Sequence, residues 1–208
     1  MPQLAVQGFH VFRGDRHVLR GIGFELPAGR CLQVTGRNGA GKTTLLRALC
    51  GLVDVEAGSV LWDGVEVDRR EPEFHAQLAY LGHDAPLKGD LTGRENLRYC
   101  VGLRRAIRRE ELDRGLERVG AQPFADRPVR SLSAGQRRRI ALAALWLYGV
   151  SLWILDEPTT NLDAQGQQLV TGMILEHIAG GGSVVAAVHH ELELPPERRV
   201  ELVIGGTA

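Results

Sequence analysis

Apolar residues recur along this chain with two periods, and the two alternate. Leu4 to Val6 and Val18 to Leu26 read as strands, with a hairpin-like turn at Gly14-Asp15 between them. Cys31 to Thr35 is a short apolar run that leads straight into a glycine-rich loop. From Lys42 the period becomes helical: Leu45, Leu46 and Leu49 share one face, and Gly51 stops the helix. Val60 to Trp62 predicts a further strand closed by the Asp63-Gly64 turn, and Leu78 to Leu81 a short buried one. From Gly93 to about Tyr148 the pattern is helical, arginine-rich and poor in β-branched residues. This predicts a helical subdomain over about 93–148, inserted into an α/β core, with one domain spanning 1–208. Ser151 to Leu155 returns to a buried strand. Asp163 to Ile178 predicts an amphipathic helix with Val170, Met173, Ile174 and Ile178 at helical spacing. Ser183 to Val188 and Val200 to Ile204 predict the last strands. Strands alternating with helices imply a mainly parallel sheet, to which the first hairpin adds an antiparallel edge.

Composition changes this picture little. The 208 residues fit one domain, or one domain with an inserted subdomain, and nearly half are apolar. Formal net charge is zero, whereas a general nucleic-acid role predicts a basic excess, so no nucleic-acid partner is expected. Charge is uneven only locally: Arg104, Arg105, Arg108 and Arg109 cluster, as do Arg137, Arg138 and Arg139. The cysteines, Cys31, Cys50 and Cys100, are odd in number and show no CxxC spacing. That disfavours a disulfide framework and a zinc site, and predicts buried thiols in a reducing compartment. The N-terminus lacks the basic start and apolar run of a secretion signal. No stretch approaches the ~20 apolar residues needed to span a bilayer. Any action at a membrane is therefore expected through a partner.

Three segments carry candidate chemistry. Gly36-Arg37-Asn38-Gly39-Ala40-Gly41-Lys42-Thr43-Thr44 fits GxxxxGK[ST] between a strand and a helix. Glycines let such a loop wrap a phosphate chain with its N–H groups inward, and the helix N-terminus adds a positive dipole end. Lys42 can reach β- and γ-phosphates, and the Thr43 hydroxyl can hold Mg²⁺. The bland alternative is a glycine-rich turn with an accidental lysine. Leu152 to Glu157 is an apolar strand ending in two carboxylates. Asp156 is placed to hold Mg²⁺, directly or through water, and Glu157 to polarise an attacking water. Standing alone, an acidic strand end is usually a solvated turn. In Ser131-Leu132-Ser133-Ala134-Gly135-Gln136, Ser133 and Gln136 predict a capping box at the start of a long helix. Such a helix end is also an anion site. Arg137, Arg138 and Arg139 then oppose the helix dipole, which points to nearby anions or acidic partners, or to simple solvent exposure.

The phosphate loop, LSAGQ, the Asp-Glu strand end, Thr160-Asn161-Leu162-Asp163 and a histidine after a β-strand come in the order of the ABC ATPases. The chain resembles that family over nearly its whole length. The resemblance implies a P-loop ABC ATPase core, ATP and Mg²⁺ as cofactors, and an ATP-dependent homodimer. In it, Ser133, Gly135 and Gln136 serve the nucleotide of the other subunit, and Asp163 spans the interface. It also implies that His190, which precedes Glu191, is the switch histidine beside the catalytic Glu157. Two positions depart from the family pattern. His83 stands where a glutamine is usual, so His83 or Asp84 takes over its role toward Mg²⁺ and the membrane subunit. The usual adenine-stacking tyrosine is replaced by Phe12, which reads equally as a core residue.

Within the family, Tyr80 to His83, Leu91-Thr92, Glu95-Asn96-Leu97, Trp153 to Pro158 and Gly180-Gly181-Gly182 are similar to the haem-exporter ATP-binding subunits of cytochrome c maturation. Thr159 stands where that group commonly has an aromatic. That likeness implies a CcmB-like integral membrane subunit, further cytochrome c maturation components (CcmC- and CcmD-like), and a peripheral position on the cytoplasmic face of the bacterial inner membrane. Its coupling helices would meet His83 to Lys88 and Leu91 to Tyr99. The rivals are an ABC subunit for another substrate and a soluble non-transport ABC ATPase. A P-loop GTPase would need an Asn-Lys-x-Asp motif, which the chain lacks.

Overall fold

The computed structural model describes residues 4–205. They form two compact units. One reaches to Tyr80 and is completed by Val150–Glu157 and the chain from Ile174; the other is Leu81–Gly149 with Pro158–Met173.

The first unit carries two sheets. Strands β1 (Leu4–Arg13) and β2 (Arg16–Leu26) form the N-terminal hairpin, and β4 (Ala57–Trp62) and β5 (Val65–Val67) extend it. The order is β2-β1-β4-β5, all antiparallel. β1 is longer than its alternation suggests. Register shifts between Val6 and Phe9, Phe9 and Val11, and Val11 and Phe12 break the period of two, so only its first residues read as strand. β5 returns from β4 through Asp63 (φ 54°) and Gly64 (φ 78°), two left-handed residues suited to a tight hairpin. The second sheet, β6-β7-β8-β3-β9, has parallel pairs β3–β8, β3–β9 and β7–β8. Its strands are β3 (Cys31–Thr35), β6 (Leu78–Leu81), β7 (Leu152–Asp156), β8 (Ser183–Ala187) and β9 (Arg199–Val203). Every residue of β7 and β8 is buried, as a parallel sheet covered on both faces requires. Helix α1 (Lys42–Leu49) buries Leu45, Leu46 and Leu49 in the core with Phe9, Leu32 and Ile154. A short helix α2 (Pro72–Gln77), with proline at its start, precedes β6. Cys31 and Cys50 are free and buried, and burial pushes both thiols up to about 12.

The second unit is helical. It contains α3 (Gly93–Gly102), α4 (Arg109–Arg118) and α5 (Ala134–Tyr148). Thr92 and Glu95 close a capping box on α3; Ser133 and Gln136 close one on α5. α5 ends at Gly149, left-handed at φ 64°. Its Ile140, Leu142, Ala143 and Leu145 are buried. The last helix, α6 (Ala164–Ala179), belongs to this unit up to Met173 and to the first from Ile174, and it buries Val170, Met173, Ile174 and Ile178.

Candidate functional site

Sheet order decides which loops meet in the first unit. β8 lies between β7 and β3, and Ala187 is level with Asp156 on one side and Val34 on the other. The carboxyl ends of all three strands therefore share one edge, where ligands of open α/β sheets bind. The phosphate loop leaves β3, the Asp-Glu pair ends β7, and the histidines follow β8.

The loop is fixed by geometry only glycine allows. Gly36 has φ 141°, and a Cβ there would lie 2.2 Å from the Ile204 carbonyl oxygen. Gly41 has φ 112°, and a Cβ there would lie 2.8 Å from Leu19 Cδ2 and 3.0 Å from Val18 Cγ1. Lys42 Nζ donates to the carbonyls of Gly36 at 2.7 Å and Arg37 at 3.4 Å, folding the side chain across the loop. α1 starts at Lys42 without a side-chain cap, which leaves its first N–H groups to serve an anion. The Thr43 hydroxyl donates to Asp156 Oδ1 at 3.2 Å. Both are hard oxygen donors of the kind Mg²⁺ takes, so a nucleotide phosphate chain and its metal fit here.

Glu157 directly follows Asp156. Its φ of 49° is left-handed, a conformation that costs a non-glycine residue about 1–3 kcal/mol. The Glu157 N–H donates to the Ala187 carbonyl at 3.0 Å. Its carboxylate Oε1 lies 2.5 Å from His189 Nε2. The ring in contact with Glu157 is thus His189, and both His189 and His190 are exposed. The sequence reading put His190 in this place because it precedes Glu191; the contact with Glu157 makes His189 the second candidate. We expect His189→Ala to alter steady-state ATP turnover by ~10-fold or more and His190→Ala by less. The reverse order would assign the role to His190.

In the second unit, Ser133 Oγ accepts from the Gln136 N–H at 3.2 Å and Gln136 Oε1 from the Ser133 N–H at 3.0 Å. An open pocket of about 460 Å³ is lined by Ser133, Gly135, Gln136, Arg139, Asn161 and Asp163. Gly135 has no room for a side chain: a Cβ would sit 2.8 Å from the Asn161 carbonyl oxygen. Asp163 Oδ1 accepts from the Gly166 N–H at 2.8 Å, capping α6, and lies 3.6 Å from Arg139 Nη2.

Arg139 has in Asp163 an acidic partner of the kind its charge against the dipole pointed to, and all three arginines of α5 also donate to carbonyls. Arg137 donates to the Leu132 carbonyl, Arg139 to that of Val119, and Arg138 to those of Pro158, Gly82 and His83. Carbonyl partners from other segments offset the unfavourable dipole. Their charge against that dipole was the only signal in the sequence. His83 lies just beyond β6 with its backbone held this way, and Asp84 is exposed. Phe12 is not a core residue. It is 46% exposed and stacks on His17, ring centroids 4.1 Å apart.

Comparison with known proteins agrees with this geometry. The ABC transporter family profile matches residues 19–160. The cytochrome c biogenesis ATP-binding export protein CcmA of Methylococcus capsulatus is 43% identical, over 92% of this chain and 93% of its own. CcmA of Xanthomonas campestris pv. campestris is 42% identical over 100% and 96%. Among solved structures, an ABC transporter ATP-binding protein from Pyrococcus furiosus superposes with a TM-score of 0.84 at 23% identity, over 97% of each chain. A bacterial Atm1-family ABC exporter with ATP bound gives 0.84 at 24% identity, over 98% of this chain and 37% of that one.

Proposed function

We propose, since the chain belongs to the ABC transporter family, that it is the ATP-hydrolysing subunit of an export complex serving cytochrome c biogenesis. As a member of that family it binds ATP, works as a dimer and acts with membrane partners. Among the described residues no helix is long and apolar enough to cross a membrane. A separate integral membrane subunit, CcmB-like, supplies the span in this reading, and the chain sits peripherally on the cytoplasmic face of the inner membrane. The exported or released group is haem, passed on with the help of further maturation components. What carries the reading is similarity at 42–43% identity, over 92–100% of this chain, to proteins named for that process.

The roles follow from the site. The phosphate loop from Gly36 to Thr44, with Lys42 turned across it, receives the β- and γ-phosphates. Mg²⁺, when bound to Thr43 and Asp156, neutralises charge developing on the transferred phosphoryl group. Glu157 orients and deprotonates the attacking water, and a histidine after β8 holds it. Phe12, half exposed at the end of β1, offers a ring face to adenine. Ser133, Gly135 and Gln136 meet the partner subunit's nucleotide, and Asp163 lies beside them. His83 or Asp84 links this chemistry to the membrane subunit.

That link is testable because its loop has a defined shape. Asn96, 3% exposed, grips both backbone groups of Lys88: its Oδ1 accepts from the Lys88 N–H at 2.7 Å and its amide donates to the Lys88 carbonyl at 3.0 Å. The segment from His83 to Lys88 is therefore anchored at its Lys88 end. Asp84→Lys is expected to spare ATPase activity of the isolated chain while membrane recruitment and c-type cytochrome assembly, read by haem staining, fall several-fold. Cysteine cross-linking from position 84 to the membrane subunit measures the contact directly. Full cytochrome assembly in Asp84→Lys, with no cross-link from 83 to 88, would sink the reading.

A further inference from the structure

Arg138 sits one turn into α5 and is 3% exposed. Its Nη1 donates to the carbonyls of Gly82 at 2.7 Å and His83 at 3.3 Å, and its Nε donates to that of Pro158 at 3.2 Å. A buried guanidinium is tolerated when its donors are satisfied, and here Nη1 and Nε donate to backbone oxygens of two distant segments. One segment is the bend that stands in place of the family glutamine. The other begins directly after Glu157. On its amino side, Glu157 is fixed by its own N–H on Ala187; on its carboxyl side, the next carbonyl along the chain is the one Arg138 binds. That pair of anchors brackets a residue held in a left-handed conformation.

We infer that Arg138 is a positioning residue for ATP hydrolysis. It couples the start of α5, just behind Ser133 and Gly135, to the Gly82-His83 bend and to the Pro158 carbonyl, one residue beyond Glu157. A change felt at either of the first two is then transmitted to the backbone of the base. The inference rests on the reading of Glu157 as the base and adds the residue that aims it. The residue type is not arbitrary. Lysine keeps the charge but presents its donors from one point, and glutamine offers one amide group; neither spans two segments with the planar fork of arginine.

The test is steady-state turnover counted per bound nucleotide, with ATP affinity measured separately by calorimetry, on the full chain. Arg138→Lys is expected to lower kcat about 10-fold and Arg138→Gln about 100-fold, as small misplacements of catalytic groups do, with ATP affinity within about 3-fold of wild type. If kcat per site stays within about two-fold of wild type in both variants, Arg138 is merely structural and the inference is overturned; so too if all the loss appears in affinity. Glu157→Gln run alongside separates the two layers. Turnover surviving in that variant removes the base itself, whereas an inactive Glu157→Gln beside an active Arg138→Gln removes only the positioning role. Should the variants not fold, wild-type hydrogen exchange decides. Amides of 82–85 and 159–161 are expected to change protection over the same ATP range, and independent responses would refute the coupling.

Discussion

Glu157→Gln is expected to bind ATP as tightly as the wild type and to lose turnover by ~10²–10⁴-fold, the range for removing a positioned base. The geometry separates the two effects. In the proposed reading the phosphate contacts belong to the loop from Gly36 to Thr44, and the Thr43–Asp156 hydrogen bond at the proposed metal position does not involve Glu157. Glutamine is nearly isosteric and keeps the backbone N–H that donates to Ala187. What it loses is the carboxylate, and with it both the proton acceptor and the partner of His189. Steady-state phosphate release and calorimetric ATP titration on the same preparation check the two halves. Near-wild-type turnover would remove Glu157 from the mechanism. Weakened ATP binding would show instead that the carboxylate organises the loop.

Ser133→Arg is expected to abolish ATP-driven dimerisation while leaving ATP binding to the single chain unchanged. Ser133 opens the pocket shared with Gly135, Asn161 and Asp163, on a different unit from the phosphate loop. If that pocket receives the partner subunit's nucleotide, a guanidinium and its stem fill the space the γ-phosphate needs. Serine also caps α5, and losing that bond costs about 1 kcal/mol by itself. Ser133→Ala is therefore the companion variant: it loses the cap without adding bulk and should retain most of the dimer. Sedimentation of the ATP-loaded protein in a Glu157→Gln background reads both. A dimer undiminished by Ser133→Arg would refute the role across the interface. Equal loss in both variants would trace the effect to helix capping.

Where a feature depends on neighbours in sequence, the chain displayed it openly. The phosphate loop follows from glycine spacing, because only glycine clears Ile204 and accepts the φ of 141° at position 36. The capping box at Ser133 and Gln136, the strand ending in Asp156 and Glu157, and the Asp63-Gly64 turn obey rules that span a few residues. So do the buried positions of α6. β1 was only partly legible, because its bulges break the alternation that marks a strand. Helix α2 and strand β5 are too short to show a period.

The sequence by itself thus determined the chemical inventory: a glycine-rich GxxxxGK[ST] loop, two carboxylates at a strand end, a capped helix with small residues, and two histidines after a β-branched strand. Tertiary structure decided how that inventory is wired. Thr43 meets Asp156 across 113 residues only because β8 separates β3 from β7 by one strand. The histidine facing Glu157 was set by how the chain leaves β8. Phe12 was placed at the surface by the end of its hairpin. The partners of Arg138 lie 20, 55 and 56 residues away. None of these follows from a local period, because a carbonyl oxygen looks the same at every position until the fold brings one within reach.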